Sequence, residues 1–419
     1  MSESDVKTAH LNGATLLESE AVFRSVDERS AEVPMEDTPK IPPAKSESKR
    51  EAGVLKKIDW QIVSIVIGIK AMILLYGAVA YQLLFNERVK SWHGLLEMWN
   101  RWDALRHVRI AEVGYTNVGD ARADLVGFPL YPWLVRLFSS VFQDTQLSAF
   151  VVAGLATIAA CLLIHKLTGL DETDAVARNS VWFLLIFPTS YFLHINYNES
   201  LFIALTLGCF LAARRKNWMV AGIVGVFLCM TRMNGLVIIP ALMIEAIHQY
   251  WEDRRWNWNW GYMLLMPLGF VVYLLVNRHV TGDLFAFIDV GRVMFFKSLA
   301  APWVGIINVY NGMWAEPPSG ALMNHVMEVV FIVLGFVCIF FSARLLRPAY
   351  TVWIAGNWLL FTSVGFILSV PRYTLILFPI YILFAKLAQR PFWYSVITVW
   401  SLTLLALFIG QFVRGPWAF

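Results

Sequence analysis

Eleven apolar runs follow one another along this chain, at approximately 60–85, 147–168, 178–194, 199–213, 218–231, 233–248, 259–277, 322–343, 348–369, 372–388 and 393–413, with short charged stretches between them. A bilayer's hydrocarbon core is about 30 Å thick and is crossed by about 20 helical residues. It offers no water to a backbone that is not hydrogen-bonded internally, so apolar runs in series select helices. The pattern predicts an all-α, polytopic transmembrane helical bundle of about eleven spans. Composition points the same way: 15% of residues are charged and 58% hydrophobic, against about 25% charged in a soluble domain. A net charge of +4, with no basic block among interleaved aromatics, gives no support for a nucleic-acid partner.

Residues 1–57 stand apart as a polar stretch that includes TPKIPPAKSESKR and lacks hydrophobic periodicity. Such a segment buries too little apolar surface to offset its ordering entropy, which predicts a disordered tail ahead of a transmembrane domain over 58–419. Lys40, Lys45, Lys49, Arg50, Lys56 and Lys57 load the side next to the first span, placing the N-terminus in the cytoplasm. The first run contains Ala78-Val79-Ala80, a cleavage-site pattern, but it lies far from residue 1 and is read as an uncleaved span. Lys70 in the middle of that run is expected to face the bundle interior or to snorkel.

With that orientation, every loop expected in the cytoplasm carries Lys or Arg: HKLTGLDETDAVAR, ARRKN, HQYWEDRRW, SARLLRP and KLAQR. The parity requires that 126–142, with Pro129, Pro132 and Arg136, not cross fully, so it is read as re-entrant or surface-lying. It also requires a break at CMTRMNGL, between two short spans. Two long external loops result, 86–142 with surface helices and 278–321. The four cysteines lie inside apolar runs and the eight histidines are scattered. Neither set has metal-ligand spacing, so no metal and no cofactor is expected.

Polar residues collect at the external ends of the spans. They are Asp103, Arg106 and His107 in the first loop, Tyr197 and Glu199 with Asn198 and Ser200 in a tight turn, Arg232 and Asn234 at the break, and Arg372 with Tyr373 after Pro371. An acid, guanidiniums and aromatics on one membrane face suit an anionic lipid headgroup and a sugar. Each residue also has a plainer reading. Asp103 can be a solvated loop carboxylate or the ion-pair partner of Arg106 or Arg109; Glu199 can serve the dipole of a helix N-terminus; Arg232 and Arg372 can snorkel. Asn198-Glu199-Ser200 fits the N-glycosylation pattern but lies too close to the membrane for that use. Trp251, Trp256, Trp258 and Trp260 read as an interfacial aromatic belt.

RWDALRHVRIAEVGY, then GFPLYPWLVRL, then FPTSYFLHINYNESLFIALTLGCFLAARRKNWMVAGIVGVFLCMTRMNGLVIIPA, with a weaker echo at SVPRYTLILFPIYI, resemble in order and spacing the PIG-V family and its prokaryotic relatives. That family supplies the second mannosyltransferase of glycosylphosphatidylinositol assembly. The likeness covers roughly 60–250. It implies a GT-C glycosyltransferase, a multispan enzyme that takes a sugar from a polyprenyl-phosphate donor on the non-cytoplasmic face. It also implies that Asp103 matches the essential first-loop acid, and that Tyr197, Glu199, Ser200, Arg232, Asn234 and Gly235 belong to the active face. Arg106 stands where many relatives have His, with His107 at a usual aromatic position.

The expected reaction is transfer of a sugar, mannose by resemblance, to a hydroxyl acceptor, with inversion. Asp103 would be the base; Arg232, Arg372 and Arg106 would hold the donor phosphate. The lipid-linked sugar phosphate is a co-substrate, membrane lipids are partners, and the acceptor is a glycan, lipid or protein. A lipid-linked sugar flippase and a non-catalytic membrane subunit stay open as alternatives. The membrane would be the plasma membrane in a bacterium and the endoplasmic reticulum in a eukaryote.

Overall fold

The computed structural model describes residues 59–418 apart from 316, 318, 319 and 321; the tail assigned to 1–57 lies outside the described residues. Among the described residues every regular element is a helix, and the one β contact is an isolated antiparallel bridge between Leu299 and Val364. Helix α1 (Trp60–Phe85) is opened by Asp59, whose carboxylate accepts the Gln61 and Ile62 N–H groups. The first loop carries α2 (Trp92–Glu97), α3 (Asp103–Val113) and a 3-10 turn at Gly119–Val126. Helix α4 (Leu130–Phe142) follows that turn at a bend of 110°. Next come α5 (Thr145–Thr168), α6 (Asp174–Ile186), α7 (Glu199–Arg214) and α8 (Trp218–Cys229). A 3-10 turn at Met233–Val237 leads into α9 (Ile238–Asp253), and another at Trp258–Leu265 into α10 (Pro267–Thr281). The second loop holds α11 (Ala286–Phe295) and α12 (Pro302–Ala315); a π turn at Leu322–Val326 opens α13 (Met327–Leu345). The chain ends in α14 (Pro348–Thr362), α15 (Val370–Leu375), α16 (Pro379–Leu387) and α17 (Pro391–Arg414).

Five helical stretches are long and apolar enough to cross a bilayer: Trp60–Phe85, Thr145–Thr168, Trp258–Thr281, Leu322–Leu345 and Pro391–Arg414. This is a multi-pass membrane protein. The sequence predicts about eleven spans; the difference lies in runs that the structure breaks or shortens. Proline causes much of it. Phe187, ahead of Pro188, turns to extended backbone (ψ 144°) and ends α6 at Ile186, because a residue before proline is driven out of the helical region. Helices α10, α12, α14, α16 and α17 all start on proline, whose missing N–H costs nothing in a first turn. The expected break at CMTRMNGL is present, between α8 and the 3-10 turn at Met233–Val237. Gly235 is needed there, since a Cβ would stand 2.7 Å from the Leu228 carbonyl oxygen.

Helix α7 lies at the centre, packed by α5 on one side and α8 on another, with Phe202, Ile203, Thr206, Leu207, Cys209 and Phe210 all buried. Its two ends carry charge. At its C-terminal end Arg214 makes a bidentate pair with Asp171 (2.6 Å each) and faces Glu245, which Arg347 also binds. A cavity of about 290 Å³ opens beside this cluster, lined by Asp171, Glu172, His248 and Arg347 among others. Glu199 stands at the other end, one length of α7 away.

Candidate active site

Asp103 is the first residue of α3, held in place by the backbone before it. Trp102 adopts a left-handed φ of +55°, and its indole meets Trp417 edge-on at 5.0 Å. Arg101 is tied to the C-terminal helix through the Val413 carbonyl (3.0 Å), and its own carbonyl accepts the Tyr197 hydroxyl (3.0 Å). A non-glycine residue is left-handed only where its surroundings over-determine it, and here the C-terminal end and the turn at Tyr197 do so.

From that position Asp103 enters a chain of charges. Its Oδ2 accepts Arg372 Nη1 at 2.7 Å and its Oδ1 faces Arg106 Nη1 at 3.3 Å. Arg372 Nε donates to Glu199 Oε1 at 2.5 Å, and the same oxygen accepts Arg232 Nη1. Arg232 also reaches Asn198 Oδ1 at 3.2 Å. Segments at 103, 199, 232 and 372 thus meet in one ionic string. Glu199 is fully buried and Arg372 nearly so, while Asp103 keeps 31% of its side chain exposed. The guanidinium of Arg372 lies over the Tyr197 ring (4.6 Å) and that of Arg232 over Tyr373 (5.5 Å). Lys297 from the second loop donates to the Tyr373 hydroxyl at 3.1 Å. Burial would raise the Asp103 carboxyl, but Arg372 and Arg106 outweigh it and hold that group well below the usual carboxylate range. Glu199 Oε2 and Ser200 Oγ are buried without a hydrogen-bond partner, and such groups call for an explanation.

The other predicted residues take different places. His107 is buried, edge-on to Tyr131 at 4.9 Å, with Nδ1 3.4 Å from the Asn196 carbonyl. Burial lowers its imidazole to about 4, so at neutral pH it braces the turn before Glu199 and adds no charge. Asn234 does not join the string: its side-chain amide donates to Asn357 Oδ1 at 2.9 Å. Tyr197 does join, through its ring under Arg372, while its hydroxyl holds the Arg101 carbonyl ahead of Asp103. Arg106 stays at the rim, over the Phe295 ring at 4.4 Å. Asn198 is only 8% exposed, which leaves no room for a glycan. Arg109, offered as an alternative partner of Asp103, instead grips the buried Asp124 with two 2.5 Å bonds.

Sequence reasoning missed several supporting residues. Lys297 and Glu328 lie far from every motif, and Glu328 accepts backbone N–H groups just ahead of Arg372. Arg136, read as a barrier to crossing, caps the C-terminus of α3 through the Ala111 (2.5 Å), Glu112 (3.2 Å) and Ile110 (3.4 Å) carbonyls. A signal existed only for Arg136, one cation in an otherwise apolar segment.

Residues 127–277 match the family model of dolichyl-phosphate-mannose-protein mannosyltransferase. The matched stretch, a little over a third of the chain, includes Glu199 and Arg232. No curated protein matches this sequence. Among solved structures, ArnT from Cupriavidus metallidurans bound to undecaprenyl phosphate is similar at 14% identity and a TM-score of 0.49, over 80% of this chain and 62% of that one. The Archaeoglobus fulgidus oligosaccharyltransferase, in complex with Zn and sulfate, is similar at 14% identity and a TM-score of 0.44, over 82% of this chain and 53% of that one. The chain therefore spans less than two thirds of the length of either protein.

Proposed function

We propose that this protein is a GT-C glycosyltransferase that moves a sugar from a polyprenyl-phosphate donor to a hydroxyl acceptor on the external membrane face, with inversion. The observation that carries the reading is Arg372, whose one guanidinium joins Asp103 to Glu199 beside Arg232. The match of 127–277 to a family named for a dolichyl-phosphate-mannose donor supports a lipid-phosphate sugar as substrate. Mannose as the sugar is the finer part of the reading; the family's name and the resemblance to the PIG-V family are what suggest it.

In this reading the acceptor oxygen attacks the anomeric carbon while Asp103 takes its proton, and the sugar–phosphate bond breaks with its electron pair staying on the phosphate. The leaving phosphate gains a negative charge as it departs. Arg372 and Arg232 supply the fixed positive charge that favours this step. Glu199 Oε2, buried and unpartnered, is available to accept a sugar hydroxyl. A carboxylate tied to Arg372 is ionised but weakly basic. A donor phosphate that engages Arg372 loosens that tie and makes Asp103 a stronger base once both substrates are bound. A single displacement needs no second nucleophilic carboxylate, and Glu199 is committed to two guanidiniums.

The test is transfer of label from radiolabelled polyprenyl-phosphate mannose by the full chain in detergent, with a membrane extract as acceptor source. Asp103→Asn should fold normally and lose transfer by roughly a hundredfold or more. Near-normal transfer by that variant would remove Asp103 from the chemistry. Translocation of the donor by reconstituted protein that transfers no label would assign a flippase in place of an enzyme.

A further inference from the structure

Glu328 is a fully buried carboxylate near the start of α13. Its hydrogen bonds go to backbone: Ser369 N–H donates to Oε1 at 2.7 Å and Val370 N–H to Oε2 at 2.6 Å. Helix α15 begins there. Pro371 has no N–H, and the Tyr373 N–H is taken by the Ser369 carbonyl at 2.9 Å. Arg372 is thus carried by a six-residue helix whose N-cap amide and first amide both end on one side chain. Ser369 sits at a left-handed φ of +76°, a conformation that a serine keeps only under constraint. Other side chains hold the same segment: Thr189 Oγ1 donates to the Pro371 carbonyl at 3.0 Å, and at the far end the Tyr381 hydroxyl donates to the Leu375 carbonyl at 2.6 Å.

We propose that Glu328 is a positioning residue for the reaction assigned above, fixing the start of α15 so that Arg372 stands between Asp103 and Glu199. Arg372 must serve two acids that lie 269 and 173 residues away in sequence. A displacement of about an ångström breaks one of those bonds. A six-residue helix has too few internal hydrogen bonds to hold its own place, and α13, a long helix packed against α14, α15 and α16, gives it a rigid support. Only an acceptor-only group suits the task. A carboxylate takes an N–H on each oxygen, whereas an amide would aim donors at one of them. The inference rests on the proposed function for its catalytic meaning, and on geometry alone for the link between Glu328 and Arg372.

Glu328→Gln keeps the size and removes one acceptor. Amide hydrogen exchange of the full chain in detergent should rise about tenfold or more at 369–373, the scale of a lost charge-assisted bond, and by less in helices remote from α15. Protection against heating by a short-chain polyprenyl phosphate should fall as far as in Arg372→Ala, and Glu328→Gln/Arg372→Ala should be no worse than Arg372→Ala. Unchanged exchange at 369–373, or losses that add in the double variant, would overturn the proposal. If the Gln protein does not fold, Glu328→Asp, which keeps both acceptors but withdraws them by a methylene, is held to the same criteria. Wild-type protein that gains no protection from polyprenyl phosphate would refute the donor reading, and exchange would then decide alone whether Glu328 holds Arg372.

Discussion

The Arg372 guanidinium reaches Asp103 with Nη1 and Glu199 with Nε at once because its donors are fixed in one plane, which an ammonium on a flexible stem cannot copy. Arg372→Lys should therefore behave more like Arg372→Ala than charge alone suggests: in a donor titration both should weaken apparent affinity, Lys by somewhat less. Arg372→Ala also leaves buried Glu199 with Arg232 as its remaining cation, and breaking a buried pair costs roughly 3 to 5 kcal/mol, so its melting temperature should drop. The pH dependence follows from Asp103, whose folded carboxyl is held below its unfolded value. A depressed acid contributes stability that is fully present above the unfolded pKa and is lost as pH falls through the folded one. The melting difference between wild type and Asp103→Asn should then stay constant from about pH 8 to about pH 5 and shrink only below the ordinary carboxylate range. Glu199, Arg232 and Arg372 were legible because a charge at the end of an apolar run is conspicuous, and Asp103, inside the first loop, through the motif RWDALRHVRIAEVGY that carries the family resemblance. Glu328 and Lys297 were not, since an acid in a helix's first turn and a lysine in a loop have ordinary local explanations; what sets them apart is the backbone and the phenol that the fold brings to them.

At the scale of elements, the segment after α3 acts as a brace. Helix α4 sends Arg136 into the carbonyl end of α3, where a cation meets both the orphan acceptors and the negative end of the dipole. The helix that carries Asp103 is thereby fixed at the end remote from Asp103. Arg136→Ala should destabilise the protein by roughly 1 to 2 kcal/mol, raise hydrogen exchange at 110–114, and reduce transfer less than Asp103→Asn does. Helix ends were often readable, because Pro267, Pro302, Pro348, Pro379 and Pro391 each sit where a helix starts. Orientation was read less well. Trp102 and Leu105, apolar as they are, stay 42% and 51% exposed, and the buried face of α3 runs through Ala104, His107, Ile110 and Ala111. A histidine on that face looks polar in sequence, yet two tyrosines and a carbonyl give it a place in the interior.

For the molecule as a whole, the all-helical bundle was legible; which apolar runs form one straight helix and which form two short ones was less so, since runs of similar length divide according to the prolines within them. The two long loops meet on one side, where α11 packs against the 3-10 turn at Gly119–Val126. Single cysteines replacing Asn117 and Val293 should therefore be labelled from the same side of sealed vesicles, and one replacing Asp253 from the opposite side; a split between the first two would separate Lys297 and Arg106 from any common face. Helix α7 has 16 residues between Glu199 and Arg214, about 24 Å at 1.5 Å per residue, while the hydrocarbon slab is about 30 Å deep. Its neighbours shield it from lipid, so the shortfall does not thin the bilayer; it becomes depth. With Arg214 paired to part-exposed Asp171 at one end, a helix of this length, if it runs straight across the slab from that surface, leaves Glu199 several ångströms short of the opposite headgroup plane. On the proposed function, a donor headgroup would have to descend that distance to meet Glu199, and a pliant polyprenyl tail is the kind of chain that can bend to follow it.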